Sequence, residues 1–265
     1  MTLSFFKFHG AGNDFIMIDN RDQSISLSQE QVFLLCHRRL GIGADGLILL
    51  ESPKSEKAHF SMKYYNSDGL EGTMCGNGGR CITAFAQHLG FEQNSFLFDA
   101  IDGLHYANIL SKSANSLYDI TLKMSSVKEI IETEEDSFLD TGSPHLVVFV
   151  DNAKNADVIG MGKMLRNDLR FAPGGTNVNF VSFSNGRLFV RTYERGVEDE
   201  TLSCGTGITA SALAIVKKLN LPFHQIDIDA LGGVFKVTFE ESAAGYENIW
   251  LQGPVKFAFE GSVTL

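Results

Sequence analysis

The chain has few prolines, one tryptophan, no surplus of positive charge and no long apolar run. Each shortage excludes something. With 22 Lys and Arg against 32 Asp and Glu, the formal net charge is −10. No basic face is available to displace counterions from phosphate, so a general nucleic-acid binder is excluded. No stretch approaches the ~20 apolar residues of a membrane span. The opening MTLSFFKFHGAGNDF has neither a basic leader before an apolar stretch nor a small-residue cleavage site, so no secretory signal and no membrane partner are expected. The four cysteines, Cys36, Cys75, Cys81 and Cys204, form no C-x-x-C pair, and no His stands at ligand spacing from them. A zinc or other metal site is therefore not expected. A chain this long needs no disulfide staples, and the expected compartment is the reducing cytoplasm.

What is present is a 44% hydrophobic composition over 265 residues, enough for a proper core in one large or two small domains. SFFKFHG and DFIMID read as strands flanking a GAGN turn. SQEQVFLLCHRRLG reads as a helix, with Ser28 and Gln31 as a capping box, His37 to Arg39 in the last turn and Gly41 as the stop. LILLE and HFSMKYYN follow as strands, then the glycine-rich loop SDGLEGTMCGNGGR, then a helix CITAFAQHLG ended by Gly90. The second half repeats the pattern. HLVVFV, TNVNFVSF and RLFVRTYERG read as strands that lead into SCGTG. The helix ITASALAIVKKL follows, closed by Asn220 and Pro222. QIDIDA, GGVFKVTFE, NIWLQGP and VKFAFEGSVTL read as the last strands.

Both helices that follow a Cys-Gly-x-Gly segment are apolar or small almost all the way round, so each must be wrapped on most sides. The expected fold is α/β, with two similar, pseudo-symmetric domains, each a curled, mainly antiparallel sheet around a central helix. No Pro-rich linker separates the halves. The first domain is expected over residues 1–115, completed by the last strand at about 253–265, and the second over 116–252.

A cysteine directly before a helix has chemical meaning. The first turn of a helix has unpaired N–H groups and the positive end of the dipole, so it seats a carboxylate and favours a thiolate. Two such ends facing one another would hold an α-carboxylate with a sulfur on each side of the α-carbon. One thiolate would remove the α-proton while the other, as thiol, delivers a proton to the opposite face, with no cofactor required. A lone cysteine at such a place is more often a small buried hydrophobe, which is the reading for Cys36 and Cys81. The repetition at Cys75 and Cys204 is what favours catalysis.

At this point KFHGAGNDFIMID, RRLGIGADGL, YYNSDGLEGTMCGNGGRC and YERGVEDETLSCGTG resemble the signature segments of the diaminopimelate epimerase family, in order and over essentially the whole chain. The resemblance implies pseudo-symmetric domains with the active site in the cleft between them. It also implies interconversion of LL- and meso-diaminopimelate without pyridoxal phosphate, in lysine and peptidoglycan precursor synthesis. It makes Cys75 and Cys204 the two bases, and Gly76, Asn77, Gly205 and Thr206 the seat of the reacting carboxylate. Asn13, Asn66, Asn177, Glu194 and Arg195 stand at the family's other substrate-contact positions. His145 and Glu194 are placed beside the cysteines, where they tune the thiols. A small amino acid is the implied partner, and a homodimer the implied assembly.

Three positions depart from the family's pattern. Thr206 stands where Ser is usual, and keeps the hydroxyl. Gly46 stands where Gln is common, and Ser143 where Asn is common. The last two shorten polar side chains, so a roomier pocket with slow turnover of smaller acidic amino acids such as glutamate is expected. Competing readings are a related racemase of glutamate, aspartate, proline or hydroxyproline, and a thiol redox protein in which Cys75 and Cys204 form a reversible disulfide. GIGADG formally matches a dinucleotide-binding fingerprint, but it follows a helix and leads into a strand, the reverse of what that motif needs.

Overall fold

The computed structural model describes residues 2–265. The chain forms two compact units: one holds the residues up to Leu122 together with Pro254–Leu265, the other holds Lys123–Gly253. In the first lie β1 (Thr2–Gly10), β2 (Asn13–Asn20), α1 (Gln29–Cys36), β3 (Gly46–Glu51), β4 (Phe60–Asn66), α2 (Gly76–His88), β5 (Ser95–Ala100) and β6 (Gly103–Lys112). The chain leaves it along β7 (Leu117–Lys123). The second contains β8 (Ile131–Glu132), β9 (Asp136–Asp140), β10 (Pro144–Phe149), α3 (Val158–Arg166), β11 (Asn177–Ser184), β12 (Arg187–Glu194), β13 (Asp199–Thr201), α4 (Gly205–Leu219), β14 (Gln225–Ala230) and β15 (Gly233–Ser242). The last strand, β16 (Gly245–Thr264), begins in the second unit and ends in the first.

Most neighbouring strands are antiparallel. Among the described pairings four are parallel: β2–β3, β4–β5, β10–β11 and β12–β14. Parallel neighbours need a crossover, and each of the four pairs has one of the four helices in it. The crossovers therefore come in the same order in both units: an outer helix (α1, α3), then a central one (α2, α4). This is the physical content of the internal duplication.

The central helices are buried along nearly their whole length, Gly76–Ala86 in α2 and Gly207–Val216 in α4. Beside α2, β3 and the middle of β2 are buried on both faces, which explains the unbroken apolar run of β3. Leu47 and Leu49 face outward with Ile16, Ile18 and Tyr65 under Val32 and Leu35 of α1. Ile48 faces the other way, onto α2 at Gly78. In the second unit, Leu146, Val178, Phe180 and Tyr193 form the corresponding layer with Val158 of α3.

Several elements differ from the sequence-based expectation. GNGGR is the first turn of α2 rather than loop. A Cβ at Gly78 would lie 3.1 Å from both Ile48 Cδ1 and Met62 Cε, and one at Gly79 would lie 2.9 Å from Met74 Sδ. The glycines are there because the sheet comes close, not because the chain turns. The capping box of Ser28 and Gln31 is present, but α1 stops at Cys36 without reaching the basic residues. His37 turns extended and its Nδ1 accepts from the backbone of Arg39 and Leu40, both at 3.1 Å, which closes the helix early. The two final strands are a single one that runs through Pro254. It pairs with β15 up to Gln252 and with β1 from Lys256, so the residue without an N–H falls between the two ladders. The two units divide at Leu122/Lys123, at the end of β7, rather than at 115/116. Helix α3 was not expected at all: its glycines, Gly160 and Gly162, mask a sound N-cap at Asp157.

Leucine at position 78 has no room beside Ile48 and Met62. Gly78→Leu is expected to cost about 1–3 kcal/mol in urea unfolding, with a loss of α2 protection in hydrogen exchange.

Candidate active site

Cys75 is the N-cap of α2 and Cys204 the N-cap of α4, each in extended backbone with no side-chain cap. A cysteine is a poor cap, and neither sulfur bonds the N–H groups of its own first turn. Two glycines and small residues in those turns let a ligand's oxygens come close to the backbone.

In the first unit, a two-residue turn at Ala11 (φ 52) and Gly12 (φ 89) joins β1 to β2. Its base packs on α2: a Cβ at Gly10 would lie 3.2 Å from the carbonyl oxygen of Asn77. This brings Asn13 to the cysteine, with Cys75 Sγ 3.7 Å from Asn13 Oδ1. Asn77 Nδ2 donates to the same oxygen at 3.2 Å. Behind Asn77 lies Arg80, fully buried, donating to Asn77 Oδ1 at 2.6 Å and to Gly76 O at 3.2 Å. Burial pulls the Arg80 pKa down, though guanidinium remains charged at any working pH. On the other side, Asn13 Nδ2 donates to Asp45 Oδ2 at 2.7 Å, and Asp45 is held by Arg38 at 2.5 Å. Asp14 completes the cluster. Burial alone would raise its carboxyl, but hydrogen bonds from Arg38 and Lys7 more than offset this and hold it at about 2.

Asn66 is exposed at the end of β4, opposite Gly46 in register. The extra room expected at Gly46 is not there. A Cβ at this position would lie 2.6 Å from Tyr64 Cε2 and 2.7 Å from the carbonyl oxygen of Tyr65. The Tyr64 ring, flanked by Gly72 and by Phe15 at 6.0 Å between centroids, takes up the space.

In the second unit, Cys204 Sγ lies 3.4 Å from Thr206 Oγ1. Thr206 Oγ1 accepts from Ser143 Oγ at 3.2 Å, and Ser143 Oγ is 3.0 Å from His145 Nε2. His145 is completely buried on β10, with its Nδ1 3.1 Å from Asn179 Nδ2. Burial, and secondarily the charge of Arg195, push its pKa down to about 3. The hydroxyls of Ser143 and Thr206 stand between His145 and Cys204. Asn177 donates to Pro144 O at 3.0 Å and accepts from the backbone of Arg195 at 2.9 Å, so β11 ties the Ser143 loop to the end of β12. Glu194, half-buried at that end, accepts from Thr201 Oγ1 at 2.8 Å.

Gathered within one unit are thus Asn13, Asn77 and Cys75 with Gly76, and within the other His145, Asn177, Arg195, Cys204 and Thr206 with Gly205. Arg80, Asp45, Tyr64 and Asn179 were missed. An arginine inside an otherwise apolar helix, and asparagines alternating on one face of β11, were the signals that would have found Arg80 and Asn179. Cys36 and Cys81 are buried, which pushes the Cys36 thiol up to about 12 and raises Cys81 as well. Among the described residues, no three His, Cys, Asp or Glu side chains are grouped so as to hold a metal ion.

This fold, with a cysteine at the head of each of two sheathed helices, defines the class. It is similar to that of a Bacillus anthracis phenazine biosynthesis protein of the PhzF family, at a TM-score of 0.78 and 14% identity over 100% of both chains. It is also similar to that of a hydroxyproline epimerase from Agrobacterium vitis, at a TM-score of 0.70 and 16% identity over 100% of this chain and 93% of that one. Within the class, residues 5–127 and 137–257 match the family model for diaminopimelate epimerase. The Flavobacterium psychrophilum diaminopimelate epimerase is 47% identical over 98% of this chain and 100% of its own. That of Chlorobaculum tepidum is 41% identical over 97% and 99%. The chain belongs to the diaminopimelate epimerase family.

A histidine whose pKa falls from 6.5 to about 3 on folding stabilises the fold above the higher value and loses that contribution as pH falls toward the lower one. The His145 ring nitrogens are therefore expected to show no titration in 15N spectra until about pH 3 or global acid unfolding, whichever comes first. His145→Gln is expected to flatten the acid limb of stability.

Proposed function

We propose that the chain interconverts LL- and meso-diaminopimelate by a two-base mechanism, in lysine and peptidoglycan precursor synthesis. The observation that carries this reading is the matched pair of buried helices, each headed by a cysteine and a glycine-rich first turn. In the proposed reaction the carboxylate at the reacting centre is held by backbone N–H groups of Gly76 and Asn77 and of Gly205 and Thr206. One sulfur takes the α-proton and the other gives its own to the opposite face. An α-proton is far less acidic than a thiol, so the barrier falls only if the helix ends stabilise the developing carbanion in a site closed to water. The distal ammonium and carboxylate fall to Glu194 and Arg195, with Asn13, Asn66 and Asn177 as donors and acceptors.

Tyr64 takes the place of the side chain shortened at position 46, and Ser143 bonds Thr206. Slow glutamate turnover is accordingly expected to lag that of diaminopimelate by more than about 10²-fold, because glutamate leaves the distal polar groups unpaired. A mechanism that needs both thiols reduced fits the cytoplasm. The homodimer implied by the family resemblance is checked by light scattering.

The test is α-deuteration in deuterium oxide, followed by proton NMR on reduced protein without added pyridoxal phosphate. Diaminopimelate is expected to exchange and invert, and Cys75→Ala and Cys204→Ala each to lose inversion by about 10³-fold or more. Exchange of proline or aspartate in preference to diaminopimelate would move the chain to another racemase activity. No exchange with any amino acid, from protein with titratable thiols, would end the reading.

A further inference from the structure

Helices α2 and α4 differ at one matching place. Five residues beyond each cysteine, a fully buried side chain donates back to the carbonyl of the glycine that follows the cysteine. In α4 this is Thr209, whose Oγ1 lies 3.0 Å from the Gly205 oxygen. In α2 it is Arg80, with one guanidinium nitrogen 3.2 Å from the Gly76 oxygen. A neutral hydroxyl is therefore enough to satisfy this place in a sheathed helix. An arginine there carries a charge into a site from which water is excluded, and burial draws its pKa down. Packing alone gives no reason for that charge.

We infer that Arg80 is a positioning residue of the reaction proposed above, which polarises and orients the first turn of α2 so that the N–H of Asn77 becomes the strongest donor to the reacting carboxylate. The role rests on the two-base reading.

The oxygen that Arg80 binds belongs to the same peptide unit as the N–H of Asn77. A donor on a carbonyl oxygen polarises its peptide, and the N–H on the other side becomes a better donor. A charged donor does this more strongly than the neutral hydroxyl of Thr209. In the proposed reaction this N–H bonds the carboxylate onto which negative charge moves as the α-proton leaves. The stabilisation is largest after the charge has moved, so it belongs to turnover more than to binding.

A second arm of the guanidinium fixes the Asn77 side chain, donating to its Oδ1 at 2.6 Å. Arginine has only donors, so Asn77 turns its oxygen to Arg80 and its Nδ2 to Asn13 Oδ1, 3.2 Å away. Asn13 in turn gives its own Nδ2 to the Asp45 carboxylate at 2.7 Å. Both amides point the same way whether read from Arg80 or from Asp45. A threonine has one hydrogen to give and could not hold both the peptide and the side chain. Arg80 acts through Gly76 and Asn77 rather than on the substrate itself.

The ionisable groups that face the head of α2 are Lys7 and His9 on β1, Asp14 on β2, Asp45 before β3, Asp102 before β6 and Asp119 on β7. Asp14 is paired with Lys7 and Arg38, Asp45 with Arg38, and Asp102 lies 3.1 Å from His105. The charges of Cys81, Cys75 and Asp119 act on Arg80. The guanidinium acts on Cys75 in return and favours its charged form.

The test compares Arg80→Gln, which is neutral but can still donate, with Arg80→Lys, which keeps the charge. Arg80→Gln is expected to lower kcat for diaminopimelate by about 10–10²-fold, with KM moved less than kcat. Arg80→Lys is expected to keep at least about fivefold more of the rate than Arg80→Gln. Where Gln prevents folding, Arg80→Thr, which copies α4, takes its place as the neutral variant. Thr209→Val, which removes the neutral donor of the second unit, is expected to cost less in kcat than Arg80→Gln. A purely structural role makes Gln the equal of Lys, and that result overturns the assignment. A Thr209→Val loss as large as that of Arg80→Gln overturns it too.

A second measurement needs no substrate. In the Cys204→Ala background, alkylation of Cys75 by iodoacetamide is followed against pH; Cys36 and Cys81 stay silent because they are buried. Arg80→Gln is expected to raise the Cys75 midpoint by about one unit and Arg80→Lys by less. An unmoved midpoint in the neutral variant contradicts the charge at this place. If the midpoints follow this order while diaminopimelate fails to exchange on the unaltered protein, the charge at the head of α2 stands and the epimerase reading alone fails.

Discussion

The constraint on which the rest of this structure depends is the enclosure of a helix on every side by a curled sheet. A helix in that position has no polar face to offer, so its residues are small or apolar and its few hydroxyls bond back to its own carbonyls. Thr83, Thr209 and Ser211 all do so, at 2.7–3.0 Å. The first turn is pressed hardest, which is why Gly78 and Gly79 in one unit and Gly207 in the other have no space for a side chain. In neither helix does the N-cap side chain bond the first turn. Packing and chemistry therefore ask for the same residues at the same place, and the cysteine needs only to precede them.

The parts of the fold set by local rules were legible in the sequence. The capping box at Ser28, the helix stop at Asn220 in left-handed backbone and the turn at Gly12 follow from a few neighbouring residues. The features misread are those decided by distant ones. GNGGR looks like loop until Ile48 and Met62 are set against it. The unbroken strand through Pro254 depends on two partners remote in sequence. Helix α3 is weak by composition and exists because it packs on Tyr193 and Val178.

At the site, the motifs singled out the cysteines and their glycines but not what orients them. Arg80, Asp45 and Asn179 do their work through other side chains, and nothing in the spacing of a sequence tells which way an amide points. Shortened side chains at 46 and 143 suggested vacancy when read one at a time. Tyr64 fills the first place, so a change in one residue is read correctly only together with the neighbour that answers it.

The last strand has a consequence for how the molecule comes into being. Residues 254–265 pair with β1, at the opposite end of the chain, to complete the first unit. During synthesis β1 emerges long before residues 254–265, its ladder partner. The second unit, by contrast, is continuous over Lys123–Gly253 and is whole as soon as β16 has been half translated. On the ribosome the order of completion is therefore the reverse of the order of sequence. Until residues 254–265 have emerged, the β1 edge that awaits them is an unpaired strand edge exposed to other nascent chains.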